Sequence, residues 1–389
     1  MNPPMRERMP EALQHAEGAF RGAVVSSITQ IGRDAWTACF AHEPEGYDYL
    51  LTVESAGLAG FEWFYATVYQ GDLLVAAMPG FLSQYPLDTT LEAGGLRTLI
   101  GKIRRVWSGF LTLSLACLGS PCTEAGSIGI HPEIVDDQYA LVFETLLSAF
   151  ETYARHRKCA MTALKDIPQT TFSAFTDTIN KRGYTGLDGM PTAWLPIDFD
   201  NIETYFTRLS AATRKDMRRK LRTREKVRVE HWHNYGTLLP RIMEFYQATR
   251  ARSEWQFEEL TTAYFTGILE SMPETAFCTM YFVEDELLAA NLMVRDGHML
   301  IDKFFCMDEA KGRPYNLYYL SWFENIQYCL DHGLSRYQSG QAHYANKLRL
   351  GSQLTANAMY FRHSNGLVQK ALQAIAPYLS PDDSGDHRS

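Results

Sequence analysis

Two short stretches of this chain repeat each other, and they constrain its fold more than any other feature. Residues 70–78, QGDLLVAAM, and 284–292, EDELLAANL, match in type at nearly every position. Each lies in a run that alternates, turns and continues apolar, the pattern of a β-hairpin with a tight turn. A second echo lies downstream of each hairpin. SAFETYARHRKC (148–159) and SWFENIQYCLDH (321–332) both carry apolar residues at helical spacing and both lead towards a strand. Chance produces one echo readily, whereas two in the same order point to an α/β unit used twice. More residues separate the hairpin from the helix in the first half, so that half carries an insertion, placed at 87–126.

The chain has 389 residues, 46% of them hydrophobic, enough for a core in each of two units. The second hairpin extends into a three-stranded antiparallel meander from about Ala276 to Met307, with Asp296-Gly297 supplying its other turn. The stretch GMPTAWLPIDFDN (189–201) follows a helix-strand pair and marks the boundary between units. The expected organisation is a disordered N-terminus over 1–20, a first unit over 21–195, a second over 196–378 and a disordered tail over 379–389.

A formal net charge of -8 argues against a protein that coats nucleic acid, so any anionic partner is met by a local patch. The seven cysteines are scattered and never spaced CxxC, which indicates neither a disulfide framework nor a metal site and suggests reduced thiols in a cytoplasm. The N-terminus lacks an apolar h-region, and the most apolar run, FLTLSLACL, is too short to span a bilayer, so neither export nor a membrane partner is expected.

Three stretches carry candidate chemistry. The first, SAATRKDMRRKLRTREKVR (210–228), has nine basic residues against only Asp216 and Glu225. On a helix Arg214, Arg218 and Arg222 form one stripe, with Lys215 and Arg219 beside it. That stripe suits a polyanion such as a nucleotide-bearing cofactor or an RNA acceptor stem; a solvated face making ion pairs is the alternative.

The second is DEAKGRPYNLYYLSWFENIQYCLDHG (308–333), a helix with Pro314 at its first position and Gly333 just past its end. Arg313 stands where a capping side chain belongs. The start of the helix therefore offers free amides, with Lys311, Arg313 and Asn316 as the expected contacts of a phosphate, or else is capped by water.

The third is GLSRYQSGQAHYANKLRLG (333–351). If a strand runs through SRYQS and ends at Gly340, then Gln341, His343, Tyr344, Asn346, Lys347 and Arg349 gather at its terminus, where α/β proteins tend to place ligands. A polar surface loop is the other reading.

The order of these features resembles the GNAT acyltransferase fold in the form used by the FemABX-like and CelD-like, peptidoglycan-bridge-like branch. In that branch a strand ends in a glycine, followed by a Tyr/His-x-x-Lys-like element, an arginine and a glycine. Here the counterparts are Gly340, Tyr344, Lys347, Arg349 and Gly351. SAATRKDMRRKLR fits the branch's recurrent Ser-x-x-x-Arg-x-x-x-Arg-Arg pattern. The resemblance spans most of residues 30–375 and is strongest over 205–365. It implies an α/β fold of two tandem GNAT-like units, with mixed, largely antiparallel sheets flanked by helices. Two features depart from the wider fold: EAKGRPYN lacks the Arg/Gln-x-x-Gly-x-Gly/Ala cofactor loop of simple acetyltransferases, and there is no long helical hairpin of the kind that docks transfer RNA.

The implied reaction is attack of an amine on a thioester or ester carbonyl, which needs an unprotonated amine, a donor for the oxyanion and a hold on a phosphate-rich carrier. Lys347 or His343 is expected at the acyl carbonyl, with Tyr344 orienting carrier or acceptor. Asp302, placed on one strand face with Leu300, Phe304 and Cys306, is either a general base or a buried structural carboxylate. Three functions follow: an acyltransferase moving an acyl group from acyl-CoA to an amine of a small or peptide-like acceptor, an aminoacyl-tRNA-dependent transferase, or a non-catalytic binding module. In the first two the acyl-CoA or aminoacyl-tRNA is a co-substrate, and no cofactor is held tightly. These patterns specify no oligomeric state.

Overall fold

The structure, a computed structural model, describes residues 20–86, 112–252 and 257–376. The tail at 379–389, all but one residue of the N-terminal segment 1–20, and most of the insertion at 87–126 lie outside the described residues.

The first unit opens with β1 (Phe20–Val25) and two helices, α1 (Arg33–Cys39) and α2 (Tyr47–Ser55). The hairpin β2 (Phe61–Gln70) and β3 (Leu73–Pro86) follows, then β4 (Thr112–Leu118), β5 (Gly129–Ile130), α3 (Tyr139–His156), β6 (Met161–Pro168) and β7 (Thr185–Asp188). The second unit holds β8 (Thr192–Pro196), α4 (Ile202–Arg208), α5 (Ala211–Lys220), β9 (Arg228–Trp232), α6 (Leu239–Arg252) and α7 (Thr262–Ser271). The meander β10 (Ala276–Val283), β11 (Glu286–Arg295) and β12 (Met299–Met307) comes next, then α8 (Leu317–Asp331), β13 (Arg336–Gly340), α9 (Tyr344–Arg349), β14 (Gln353–Thr355), β15 (Asn357–His363) and α10 (Gly366–Ile375).

The duplication is plain in this order. In each unit a hairpin turns on one residue of positive φ, Gly71 at 58° or Glu284 at 54°. A third antiparallel strand, a helix and a strand parallel to that third strand complete the repeat: β4, α3 and β6 in one, β12, α8 and β13 in the other. The first sheet runs β1-β2-β3-β4-β6-β15-β7, and the second β14-β8-β13-β12-β11-β10-β9. Two strands change places. β15, late in the chain, pairs with β6 and β7, while β8 pairs with β13 and β14. The boundary expected at 195/196 therefore falls inside β8, and the units interlock through strands whose alternation looks the same in either sheet.

One core cluster lies between the units. Trp36, Tyr49, Leu50 and Val53 from the first half pack with Tyr246, Tyr264, Phe265 and Cys306 from the second. Burying such side chains contributes about 1.5–3 kcal/mol each. Gly267 lets α7 close on α2, since a Cβ there would sit 2.8 Å from the Thr52 methyl. All seven cysteines are free thiols. Among the described residues no helix is long and apolar enough to cross a membrane.

Candidate active site at the strand split

β12 and β13 pair only over Met299–Ile301 and Arg336–Gln338. Beyond that point β12 stays with β11 and β13 with β8, so the two strands part. A register shift between Leu292 and Met293 leaves Lys303 as an extra residue at the split. The expectation that Leu300, Asp302, Phe304 and Cys306 share one face is thereby corrected: Leu300 packs in the core under α8, and Phe304 and Cys306 pack in the core between units.

Side chains from both units meet at this split. Lys303 forms an ion pair with Glu45, which precedes α2, and donates to the Cys122 carbonyl at 2.9 Å. The Tyr49 hydroxyl donates to the same carbonyl at 2.6 Å and bonds Tyr264 at 2.9 Å. Glu124, on the loop after β4, accepts from Gln338 Nε2 at 2.9 Å. Burial raises the pKa of Glu124, the neighbouring Lys303 and Lys347 opposing it. Gly340 is required there: its φ is 80°, and a Cβ would lie 2.5 Å from Glu124 Oε1. Thr192 Oγ1, Gln341 Nε2 and Asn357 Nδ2 all donate to the Glu124 carbonyl, at 3.0, 3.4 and 3.3 Å. Both exchanged segments thus fix this one residue.

The residues singled out in the sequence fall in several places. Lys347 is buried, and its ammonium donates to the carbonyls of Ser339, Gly340 and Gln341 at 2.6, 2.9 and 3.1 Å. Burial lowers its pKa to about 8, against the pull of Glu124 and Asp302. It clamps the end of β13, and its donors are already committed. The polar segment after Gly340 is the short helix α9, with His343 exposed at φ 54° before its first turn. The Tyr344 hydroxyl donates to the Pro191 carbonyl at 2.9 Å. Asp302 Oδ2 accepts from Asn291, Tyr337 and Asn325 at 3.1, 3.1 and 3.3 Å. Burial raises its pKa while those donors hold it down, the environment of a structural carboxylate.

The three stretches picked out by sequence do converge, beside the split. Arg349 of α9 pairs with Asp216 of α5 at 2.6 Å, the Tyr319 hydroxyl of α8 donates to Asn346 at 3.3 Å, and Asn316 Nδ2 lies 3.5 Å from the Lys220 carbonyl. The single arginine stripe is corrected. Arg214 donates to the carbonyls of Phe206, Thr207 and Leu209, closing the end of α4. Arg218 is exposed and pairs with Glu203, and Arg222 lies past the end of α5 in an exposed 3₁₀ turn. The helix expected to start at Pro314 starts at Leu317, after Asn316 in the left-handed region. Lys311 and Arg313 pair with Glu286 and Glu309 instead of flanking that start as free cations. Sequence reading passed over Glu45, Glu124, Lys303 and Gln338, which belong to no motif and meet only through the contact between units.

Two interlocked sheets, each with a parallel pair of strands joined through a helix, define a tandem GNAT fold. Residues 134–385 match the FemAB-like family, described as peptidoglycan biosynthesis/recognition. The chain belongs to that family. Comparison with solved structures agrees on the fold. FemX superposes with a TM-score of 0.58 at 12% identity, over 87% of this chain and 98% of that one. A tandem GNAT protein from the clavulanic acid biosynthesis pathway gives 0.50 at 12% identity, over 89% of this chain and 99% of that one. A search of curated proteins finds no match.

Proposed function

We propose that the chain is a GNAT-type N-acyltransferase that joins an acyl or aminoacyl group, carried as a thioester or ester, to an amine of a peptide-like acceptor in peptidoglycan-related chemistry. The observation that carries this reading is the set Lys303, Glu45, Glu124 and Lys347, gathered where β12 and β13 part. In this reading Glu124 takes the proton of the attacking amine. A half-buried carboxylate whose pKa burial raises is a stronger base for that task than an exposed one. Lys303 and Lys347 place positive charge where the carbonyl oxygen becomes an oxyanion, in a site with little water to screen it. Lys347 also positions, because it holds the three carbonyls that end β13.

One observation favours aminoacyl-tRNA over acyl-CoA as the carrier. The exposed basic side chains Lys215, Arg218, Arg219 and Arg222 spread along α5 and the turn after it, Arg218 and Arg219 meeting Glu203 and Asp216 at the surface. Such a rim suits an extended polyanion better than a compact pyrophosphate. The test is amide formation on a peptidoglycan stem peptide, read by mass, with charged transfer RNA and a panel of acyl-CoAs as donors. RNase-sensitive product supports the carrier named here, and RNase-insensitive product with acyl-CoA reverses the choice.

A further inference from the structure

Arg336 opens β13 and is partly buried. Successive residues of a strand point to opposite faces of the sheet. Tyr337 packs under α8 beside Trp322, so Arg336 and Gln338 share the other face, the one on which Gln338 Nε2 donates to Glu124 at 2.9 Å. In β8, Pro196 stands opposite Arg336 and Trp194 opposite Gln338. The Arg336 guanidinium lies over the Trp194 ring, 4.2 Å from its centroid, and so leans along the sheet towards the Glu124 end. Trp194 is itself held, its indole Nε1 donating to Thr355 Oγ1 at 3.0 Å.

This guanidinium lacks the partner that its burial calls for. Its Nε is buried with no hydrogen-bond partner, and among the described residues no carboxylate pairs with the group. Burial lowers its pKa, with no acidic neighbour opposing that shift. The chain carries 45 acidic residues against 37 basic ones, so the missing carboxylate reflects this position and not a shortage. Stacking on Trp194 fixes the plane of the guanidinium without satisfying its N–H groups. A cation held in this way, desolvated and unpaired, is costly until an anion meets it. The planar fork of its terminal amino groups matches a carboxylate.

We propose that Arg336, held in place by Trp194, binds a carboxylate of the acceptor, so that the chain selects acceptors carrying a free carboxylate near the amine to be acylated. The inference rests on the transferase reading, which puts that amine at Glu124, and adds to it a determinant of specificity. Arg336 and Gln338 stand two residues apart on β13, about 7 Å. Short peptides span that distance, so amine and carboxylate belong to one acceptor molecule.

Binding of Nα-acetyl-lysyl-alanine and of its C-terminal amide to the full chain, measured by calorimetry, tests the subsite without requiring turnover. The wild type should bind the acid about tenfold to a hundredfold more tightly than the amide, as a charge-assisted pair in a partly buried setting allows. In Arg336→Met, which keeps an apolar stem against Trp194 and deletes the charge, that ratio should fall to within about twofold. Arg336→Lys restores a charge without the planar fork and should recover only part of it. The comparison of acid with amide on the wild type needs no variant, so it decides the matter even where a variant misfolds. Equal affinity for acid and amide, undetectable binding of both, or a ratio kept in Arg336→Met overturns the inference even if transfer is observed. A raised donor KM in Arg336→Met with the ratio intact assigns the residue to the carrier's phosphates and also overturns it. The expected ratio, lost in Arg336→Met, in a chain that forms no amide product upholds the subsite and overturns the transferase reading alone.

Discussion

Lys303 and Glu45 come from different units of the duplicated fold and form an ion pair with side chains 5% and 8% exposed. Lys303 also donates to the Cys122 carbonyl, so its charge serves two loops of the first unit at once. A pair so placed ties the candidate site to the packing between units.

Breaking that pair from one side should cost far more than removing it whole. Lys303→Met leaves Glu45 buried and uncompensated, which costs about 3–5 kcal/mol, whereas the double variant Lys303→Met/Glu45→Leu should recover much of the loss. Urea unfolding of the two variants beside the wild type measures this. Equal destabilisation by the single and double changes would mean that the charges are not coupled.

Lys347 makes a pH-dependent contribution whose sign follows from its lowered pKa of about 8. Between that value and the ordinary 10.5 the unfolded chain holds a proton that the folded chain has released. Stability should therefore rise with pH across this window relative to a variant without the group, by up to about 1.4 kcal/mol per pH unit. The difference in unfolding free energy between the wild type and Lys347→Met, followed from pH 8 to 10, should show that rise. At pH 7 the variant should be less stable by roughly 1–3 kcal/mol, because the carbonyls of residues 339–341 lose their donor.

The arginines of the basic stretch should separate by role. Arg214→Ala removes three contacts to the end of α4 and should lower stability by about 1–2 kcal/mol with little effect on the donor. Arg218→Ala/Arg222→Ala should leave stability within about 0.5 kcal/mol while raising the donor's KM, more so at low salt. Unchanged donor KM in the double variant removes this rim from the site.

Gly340→Ala tests the fit of Glu124 against the end of β13. The added methyl meets Glu124 Oε1 at 2.5 Å and the backbone must keep φ 80°. A loss of about 1–3 kcal/mol in stability is expected, with a fall in turnover at temperatures where the variant is still folded. A variant as stable and as active as the wild type would show that the loop after β4 moves aside freely.

Much of the fold was legible because the hairpin and helix echoes are local patterns, and local patterns survive in sequence. Hairpin, meander, helix and the strand ending at Gly340 all appear where alternation and helical spacing put them. The exchange of β8 and β15 was not legible, since a strand's pattern does not record its partner. For the same reason the site was only half visible. Arg349 and the basic helix each lie in a stretch that stands out by its own pattern, and they do meet, but Glu45, Glu124 and Lys303 belong to no pattern and are brought together by packing between units. One extra residue at Lys303 was enough to move Phe304 and Cys306 to the opposite face from the one their spacing predicts.

The central claim is that the split between β12 and β13 is a transferase site in which Glu124 takes the amine's proton. Single-turnover amide formation by the wild type and by Glu124→Gln, with the same donor and stem peptide, tests it most directly. The account predicts product with the wild type, a fall of about 10²–10⁴-fold in rate with Glu124→Gln, and an unchanged melting temperature. Equal rates in the two proteins would contradict it.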